Sequence, residues 1–373
     1  MSVMTKKASM SRFIVILIVG LLTYACTNTP EQNAKNLPAA TGKSGDILIL
    51  MDSSQWKSEL GETVRNIFTP EVDGLPRSES AFNVIWVHPS NKIRLLTQIR
   101  NLVYIFALDQ ASSGTRSITD NLSEETINNI KTDSSFYLVN TKNEYARGQE
   151  VMYLFGNTTP ELIHHLKRDG ERIQDFFNNA EKQRMMASIT KTSSTKNHTA
   201  LLEKEYNISL HFPSGFQLAQ KEKDFVWFRS PETEIDKNFF IARKPYESEY
   251  QLLPDSLLAW REKICMRYIF EDPDNSQSFI TTERSIPFNP IKAKQVNFNG
   301  TFGMEIRGLW RTNNKTMGGP FISYSFVNEA DNHIYYMEGF VYSPGKPQRE
   351  LIREMQAIAY TFKAAADNAA SKK

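Results

Sequence analysis

Short apolar runs recur along the chain from residue 46 onwards, separated by stretches in which apolar residues return every three or four positions. Residues 46–51, 82–87 and 102–108 are apolar almost throughout, which predicts strands buried on both faces of a sheet. Similar runs at 135–139 and 150–155 predict two further strands. Strands that alternate with helical stretches indicate an α/β arrangement of layers in this half of the chain.

Two helices are predicted between the first three strands. Asp52 offers N-cap chemistry for a helix that carries Trp56 and runs to Phe68, and Pro70 ends it. Pro89 begins a shorter one. The apolar positions of this second helix are Ile93, Leu96 and Ile99. A third short helix is expected at residues 123–130.

A long amphipathic helix is predicted to join the two halves of the chain. Pro160 lies in its first turn, where proline is tolerated. Its apolar face is formed by Ile163, Leu166, Ile173, Phe177 and Ala180. The polar run at 193–197 breaks this pattern. We therefore predict a first domain at residues 46–192 and a second at 200–364.

The second half is richer in strands, and its last residues, 365–373, are small and polar and are expected to be disordered. The predicted strands are 206–212, 216–219, 225–228, 238–243, 302–310, 320–327 and 333–342. A helix at 257–269 interrupts them, and an amphipathic helix that ends near Phe362 closes the domain. The predicted fold class is α+β, with two sheet-plus-helix domains joined by a long helix.

Residues 1–25 have the pattern of a secretory signal peptide. Three basic side chains precede an unbroken apolar run at 13–22, and the small residue Ala25 follows shortly after. A membrane-spanning helix needs about 20 apolar residues, roughly twice the length of this run. A signal peptide is therefore favoured over a membrane anchor.

Cys26 directly follows Ala25, and together they resemble the lipobox of bacterial lipoproteins. Thr23 stands where that family prefers leucine and Tyr24 is bulky, so the box is closest to the looser boxes of Bacteroidota lipoproteins. The resemblance implies that Cys26 carries acyl chains such as palmitate, which would hold the protein firmly to a membrane. A plain signal peptide with an incidental cysteine is the alternative.

The residues after Cys26 bear on location. In bacterial lipoproteins, an aspartate directly after the acylated cysteine is the signal for retention in the inner membrane. Thr27 occupies that position here, so the resemblance implies the outer membrane. Glu31 is the one acidic residue between 27 and 34, so a surface-export tract is missing and a periplasm-facing position is expected. Residues 26–45 are mostly polar or small, with too little apolar mass to fold, and we expect a flexible tether.

The charge of the chain gives little sign of nucleic acid binding. The 373 residues contain 44 basic and 42 acidic side chains, and three of the basic ones precede Cys26. The mature chain would thus carry 41 basic and 42 acidic groups, a net charge of −1. With Cys26 acylated, Cys265 would be the single free thiol, and its position on the apolar side of a predicted helix favours a buried small residue over a nucleophile.

No catalytic or cofactor motif stands out. Glu161, His164 and His165 could supply metal ligands from one helix, but a di-iron site needs a second copy and adjacent histidines diverge, so surface polar residues are expected. The turn at 317–320 and the acidic run at 272–275 are interpreted as turns. We predict no catalytic, cofactor-binding or metal-binding residues.

Two further patterns leave alternatives open. Asp255, Ser256 and Leu257 match a short O-glycosylation pattern of Bacteroidota envelope proteins, which N-capping of the following helix would explain equally well. Adjacent aromatic residues in predicted strands face opposite sides of the sheet. Either helices cover both faces, or one face exposes an aromatic platform for a glycan or protein. The residues concerned are Trp227, Phe228, Phe239, Phe240, Trp310, Tyr335, Tyr336 and Tyr342.

The mature chain resembles an uncharacterised family of Bacteroidota lipoproteins, through the Cys26 box, Gly45-Asp46, the Trp56 helix and the 206–215 strand and turn. The second domain also resembles the PsbP/DcrB-like fold, through the 212–216 turn and the final helix at 360–362. That resemblance implies a sheet packed against helices in proteins that are mainly assembly or stability factors.

These observations favour a lipid-anchored outer-membrane protein that binds an envelope protein or polymer without catalysis. An envelope enzyme with a site built from distant residues and a surface glycan-binding protein are the alternatives. The expected partners are the membrane, through the lipid, and an envelope protein or glycan; no nucleic acid is expected.

Overall fold

The computed structural model describes residues 36–90, 96–191, 196–272 and 275–364, without the side chains of 271–276. The predicted signal peptide, Cys26 and the predicted tail at 365–373 lie outside the described residues. The described chain forms two units, residues 38–191 and residues 196–364, each with its own main sheet.

The first unit is built on a five-stranded sheet in the order β2-β1-β3-β5-β4. Strands β1, β2, β3 and β5 run parallel, and β4 runs antiparallel to β5 at the edge. The strands are β1 (Asp46–Met51), β2 (Asn83–Val87), β3 (Asn101–Ala107), β4 (Leu138–Lys142) and β5 (Glu150–Gly156). All five lie within a few residues of their predicted positions. The apolar runs of β1, β3 and β5 are buried on both faces, whereas the edge strands β2 and β4 are only partly buried.

Helices cover both faces of this sheet. They are α1 (Ser53–Trp56), α2 (Glu59–Phe68), α3 (Ser113–Thr119), α4 (Glu124–Thr132) and α5 (Thr159–Lys191). Helices α2 and α5 pack on the face that carries Ile49, Val103 and Leu154. Helices α3 and α4 pack on the opposite face around Phe106 and Phe155. The result is a three-layer α/β arrangement, as the alternating pattern predicts.

Two helix predictions in this unit need correction. The helix expected from Asp52 to Phe68 is two helices, because the Ser58 side chain accepts a hydrogen bond from the Leu60 N–H and starts a new one. Gly61 allows the pair to approach closely, since a Cβ there would lie 1.9 Å from the Trp56 carbonyl oxygen. The predicted helix after Pro89 is a 3-10 turn, Leu96–Gln98, in its described part; residues 91–95 lie outside the description.

The segment before β1 also differs from its prediction. Residues 38–45 were expected in the tether, but they are hydrogen-bonded to the first unit. The Thr41 N–H donates to the Gln98 carbonyl at 2.9 Å, and the Arg147 N–H donates to the Pro38 carbonyl at 2.7 Å. The Ser44 hydroxyl donates to buried Glu181 at 3.2 Å. Local sequence could not reveal this, because the partners lie 50 to 140 residues away.

The long helix α5 serves both units. The part of the helix up to Phe177 supplies Ile163, Leu166 and Phe177 to the core of the first unit. Its last turns place Ile189 in the core of the second unit. Gly170 leaves room for α2, since a Cβ there would lie 3.1 Å from the Ile67 side chain. The α+β class with a linking helix is confirmed.

The second unit is built on a nine-stranded antiparallel sheet in the order β10-β11-β13-β14-β15-β9-β8-β7, with β12 pairing beside β11 on β13. Short strands β6 (Ile208–Ser209) and β16 (Lys363–Ala364) pair separately. The strands of the main sheet are β7 (Gln217–Glu222), β8 (Phe225–Pro231), β9 (Asp236–Pro245), β10 (Phe270–Asp272), β11 (Asn275–Thr282), β12 (Lys292–Phe298), β13 (Thr301–Thr312), β14 (Gly318–Asn328) and β15 (His333–Tyr342).

Three helices complete the second unit: α6 (Lys196–Tyr206), α7 (Pro254–Tyr268) and α8 (Arg349–Tyr360). Helices α6 and α8 pack on one face and α7 packs on the other. Sequence reasoning missed α6 and the strands β10, β11 and β12. Strand β12 was missed because most of its side chains are exposed and polar, so it lacks an apolar run.

Helices pack on both faces of the second sheet, so adjacent aromatic residues that point to opposite faces can both be buried. Tyr335 and Phe239 lie in the core under α8, and Tyr336 and Phe240 lie in the core under α7. All four are buried, as are Trp227, Phe228 and Trp310. Covering on both sides is therefore confirmed at these seven residues, and their rings form no exposed aromatic platform; Tyr342 is only partly buried.

The two units are locked together by polar and apolar contacts. The Glu79 carboxylate, from the loop before β2, accepts the backbone N–H groups of Gln348 and Arg349 at 2.6 and 3.0 Å. It thereby caps the N-terminus of α8. Leu75 from the same loop is buried in the core of the second unit. Helix α5 also packs along α8, where the Lys182 ammonium lies 3.6 Å from the centre of the Tyr360 ring.

Candidate functional site

An open groove of about 500 Å³ lies on the α7 face of the second sheet, beyond the area that α7 covers. We call it the Tyr250 groove. One wall is the connection between β9 and α7, and the other is formed by β12, β13 and the end of β14. Its lining residues are Tyr246, Glu249, Tyr250, Leu252, Leu253, Gln295, Thr301, Phe302, Met304, Val327 and Glu329.

The first wall is fixed by a side-chain amide. The Gln251 carbonyl oxygen accepts the backbone N–H of Glu247 at 2.9 Å, and the Gln251 amide group donates to the Pro245 carbonyl at 3.3 Å. These bonds hold the 3-10 turn Glu249–Leu252 against the end of β9. Leu252 packs against the core under α7, while Tyr250 and Leu253 remain exposed.

The second wall depends on a tight hairpin between β12 and β13. Phe298 pairs with Thr301, so Asn299 and Gly300 form a two-residue turn. Both have positive φ, 50° and 92°, as the type I′ turn of such hairpins requires. The Gly300 N–H also donates to the Asn297 side chain at 2.7 Å. This turn begins β13 in the register that places Phe302 and Met304 on the groove side.

Three large apolar side chains at the groove are exposed. The exposed fractions are 68% for Tyr250, 50% for Leu253 and 53% for Phe302. Their neighbours Met304 and Leu252 belong to the α7-side core or pack against it. An exposed apolar surface that continues a core is typical of a site that binds another molecule.

The charged lining residues of the groove are both acidic. Glu249 comes from the 3-10 turn on one wall, and Glu329 follows β14 on the other. Both side chains are exposed, and neither forms an ion pair within the described part of the chain. The nearby Lys294 of β12 is engaged elsewhere, with Glu171 of α5 at 3.0 Å. The groove therefore combines an apolar floor with an acidic rim.

The two adjacent histidines of α5 lie in different environments. His164 is exposed as expected, but His165 is buried and stacks on Tyr137 with ring centroids 4.2 Å apart, which corrects the prediction of two surface residues. Among the described residues, no group of three or more His, Cys, Asp or Glu side chains could hold a metal ion.

Cys265 is buried on α7, as its spacing predicts. Burial raises the pKa of its thiol, and the nearby Arg261 guanidinium opposes the rise only in part. Arg261 is itself buried and forms a bidentate ion pair with Glu338 of β15: its Nε donates to Oε2 at 2.8 Å and its Nη2 donates to Oε1 at 2.7 Å. These groups stabilise the contact between α7 and the sheet and have no opening to solvent.

The acidic groups at the carboxyl edge of the parallel sheet act as helix caps. Asp52 accepts hydrogen bonds from the Ser54 and Gly114 N–H groups at 2.8 and 3.1 Å, which confirms its predicted capping role. Asp109 accepts the Thr159 N–H at the start of α5 at 2.8 Å. His88 approaches Asp52 only to 3.8 Å. Ligands often bind at this edge in α/β folds, but here its carboxylates are occupied.

Two sequence patterns have structural outcomes. Helix α7 begins at Pro254, with Leu253 at the N-cap, so neither Asp255 nor Ser256 caps it and that explanation of the pattern is wrong. The turn predicted at 317–320 lies earlier in the chain: residues 313–316 form the turn, and Gly318 and Gly319 are already the first residues of β14. The acidic run at 272–275 lies partly outside the described residues.

Comparisons with known proteins divide the chain at the end of helix α5. A family described as a domain of unknown function, DUF8532, matches residues 40–190, and a second such family, DUF4837, matches residues 194–361. No curated protein matches the chain. No helix in the described ranges is long and apolar enough to cross a membrane.

Solved structures match parts of the chain at low identity. The yeast Ran-binding protein Mog1p, from Saccharomyces cerevisiae, has 8% identity and a TM-score of 0.29, covering 43% of this chain and 90% of its own. A crystal structure from Bacteroides thetaiotaomicron has 14% identity and a TM-score of 0.23, covering 43% and 46%. Human StAR-related lipid transfer protein 5 has 9% identity and a TM-score of 0.21, covering 48% and 93%.

Sequence reasoning did not identify the Tyr250 groove. Its walls come from three segments, at 246–253, 295–304 and 327–329, that are separate in the sequence. One local signal was present: Tyr250, Leu252 and Leu253 are apolar residues in a short connection just before Pro254, where polar turn residues are usual.

Proposed function

We propose that the protein is an accessory factor of the Gram-negative outer membrane, anchored through lipid on Cys26 and facing the periplasm, that binds a partner protein in the Tyr250 groove. The anchor rests on the basic start, the short apolar run and the Ala25-Cys26 junction. The binding role rests on the groove. The proposed role is binding, and it does not require the protein to catalyse a reaction on its partner.

The exposed apolar surface around the groove is the observation that carries the binding role. Tyr250, Leu253 and Phe302 approach the groove from both walls, and Met304 continues the core into its floor. Aromatic and aliphatic anchors in a pocket of this volume are typical of binding sites. The resemblances to Bacteroidota lipoproteins and to PsbP/DcrB-like assembly factors favour an accessory role over an enzymatic one.

In-cell photo-crosslinking tests this function. The photoreactive residue p-benzoylphenylalanine would replace Tyr250 or Phe302 in the lipidated chain. These positions suit it because the native side chains are aromatic, like the photoreactive one. Phe288 is a matched control, since it is an aromatic residue outside the groove and 87% exposed. We expect one dominant protein adduct from positions 250 and 302, identified by mass spectrometry, and none from position 288.

The proposal fails if the groove positions give no protein adduct, or if position 288 captures the same protein equally well. A glycan adduct at 250 and 302 would favour the surface glycan-binding alternative. Seven of the eight strand aromatics on which that alternative was based are buried and cannot contact a sugar, and Tyr342 is only partly buried.

A further inference from the structure

The charge of the groove narrows the chemistry of its occupant. The lining contains two glutamates and no lysine or arginine. Strand β12 carries lysines beside the groove, but its alternation points Lys294 to the other face, towards Glu171, and leaves Gln295 on the groove side. The rim is therefore negative on both walls, without a cation in the groove to neutralise it.

We infer that the Tyr250 groove selects a peptide segment in which an aromatic or branched apolar residue is flanked by lysine or arginine. The inference rests on the proposed function and names its ligand class. The apolar residue would fill the space above Met304, between Tyr250 and Phe302. The flanking cations would reach Glu249 on one wall and Glu329 on the other.

Other occupants match the groove less well. An anionic lipid head group would be repelled by both glutamates. The tail of this chain at 365–373 ends in two lysines but otherwise contains alanine, serine, aspartate and asparagine, so it has no apolar anchor for the floor. A peptide with both features satisfies the apolar and the charged surfaces together.

The test uses the mature chain with Cys26→Ala, which keeps every described residue. Three fluorescein-labelled probes share a Leu-Phe anchor: Gly-Lys-Leu-Phe-Lys-Gly, Gly-Gln-Leu-Phe-Gln-Gly and Gly-Glu-Leu-Phe-Glu-Gly. Binding would be followed by fluorescence anisotropy at low and high salt. We expect the lysine probe to bind most tightly and the glutamate probe least, with the difference falling as salt is added.

The acidic rim is then removed by Glu249→Gln with Glu329→Gln. We expect the affinity for the lysine probe to fall about three- to tenfold, to the level of the glutamine probe, whose own affinity should stay the same. Glu124→Gln with Glu125→Gln, on α4 of the first unit, is the matched control and should change neither. Thermal melts would verify that both variants are folded.

Equal binding of the lysine and glutamine probes, or no loss in the rim variant, would overturn the inference. Photo-crosslinks at 250 and 302 would still support the proposed function in that case, so the two can fail separately. Tighter binding of the lysine probe after deletion of 365–373 would mean that the tail occupies the groove, and this would also overturn it.

Discussion

Asp52 illustrates how single buried charges are held in this protein. Burial alone would raise the pKa of its carboxyl group. Hydrogen bonds from Ser112, Ser54 and Gly114 outweigh this effect and lower the pKa to about 2. The carboxylate joins the end of β1 to the loop before α3, so its charge stabilises the fold of the first unit.

Asp52→Asn should therefore destabilise the protein by about 2 kcal/mol at neutral pH, as the lowered pKa implies. Because the folded-state pKa lies below the unfolded one, this stability is present above about pH 4 and is lost as the pH falls towards 2. Urea unfolding at pH 7 and pH 3 measures it. Asp255→Asn, an exposed control, should change little; a variant as stable as the parent at pH 7 would contradict the argument.

The buried pair of Arg261 and Glu338 should behave differently from a surface ion pair. Glu338→Gln leaves the guanidinium buried with one weaker acceptor, and we expect a loss of about 3–5 kcal/mol. The combined change Arg261→Met with Glu338→Gln should recover part of that loss, because no uncompensated charge then remains. A double-mutant cycle by denaturant unfolding measures the coupling, and simple additivity would contradict it.

At the scale of elements, helix α8 depends on a residue from the other unit. Its own N-cap residue, Gln348, makes no side-chain cap bond. Glu79 supplies the missing acceptors, and Arg349 and Arg353 donate to the Ser80 and Ala81 carbonyls at 2.6 Å. The loop before β2 and the start of α8 thus form one hydrogen-bonded joint.

Glu79→Gln should weaken this joint, since it removes the charge that favours a helix N-terminus and exchanges one acceptor for a donor. We expect a loss of about 1–2 kcal/mol. Hydrogen exchange should rise at residues 348–351 and 79–82 together. Glu59→Gln, whose carboxylate is exposed on α2, should not change exchange there. Unchanged exchange in the Glu79 variant would contradict the joint.

Elements were predictable where their signal was local. The strands β1, β3 and β5 follow directly from apolar runs, and Asp52 and Pro160 mark helix starts by their own chemistry. The hydrogen bonds of residues 38–45, the polar edge strand β12 and the cap from Glu79 depend on distant partners. The Tyr250 groove belongs to this second group, because its walls and its acidic rim come from segments that are separate in the sequence; the apolar residues before Pro254 were its one local signal.

At the scale of the whole molecule, the two units share a helix and a joint. The sequence predicts two domains, 46–192 and 200–364, with the polar residues 193–197 between them. Because the units are held together by these contacts, we expect proteolytic cleavage near residue 193 to leave two fragments that co-elute in native size-exclusion chromatography and separate only in denaturant. Separation without denaturant would mean that the contacts of Leu75, Glu79 and Lys182 do not hold the units together.

The predicted anchor has its own test. Cys26→Ala should abolish acylation and release a folded periplasmic form, because Cys26 is the proposed site of the acyl chains. Fractionation and metabolic labelling with a palmitate analogue measure both effects. Cys265→Ser, at a buried thiol, is the control and should remain labelled. Persistent membrane attachment of the Cys26 variant would contradict the lipoprotein assignment.

Because residues 38–45 are hydrogen-bonded to the first unit, the tether between the proposed lipid anchor and the folded protein is shorter than the sequence predicts. Eleven residues separate Cys26 from Pro38, so the chain from Cys26 to Pro38 can span at most about 40 Å. The folded units would then stay within a thin layer beside the bilayer and meet their partner by lateral diffusion along the membrane. Partners that present their segment close to the membrane would be captured, and those deep in the periplasm would be out of range.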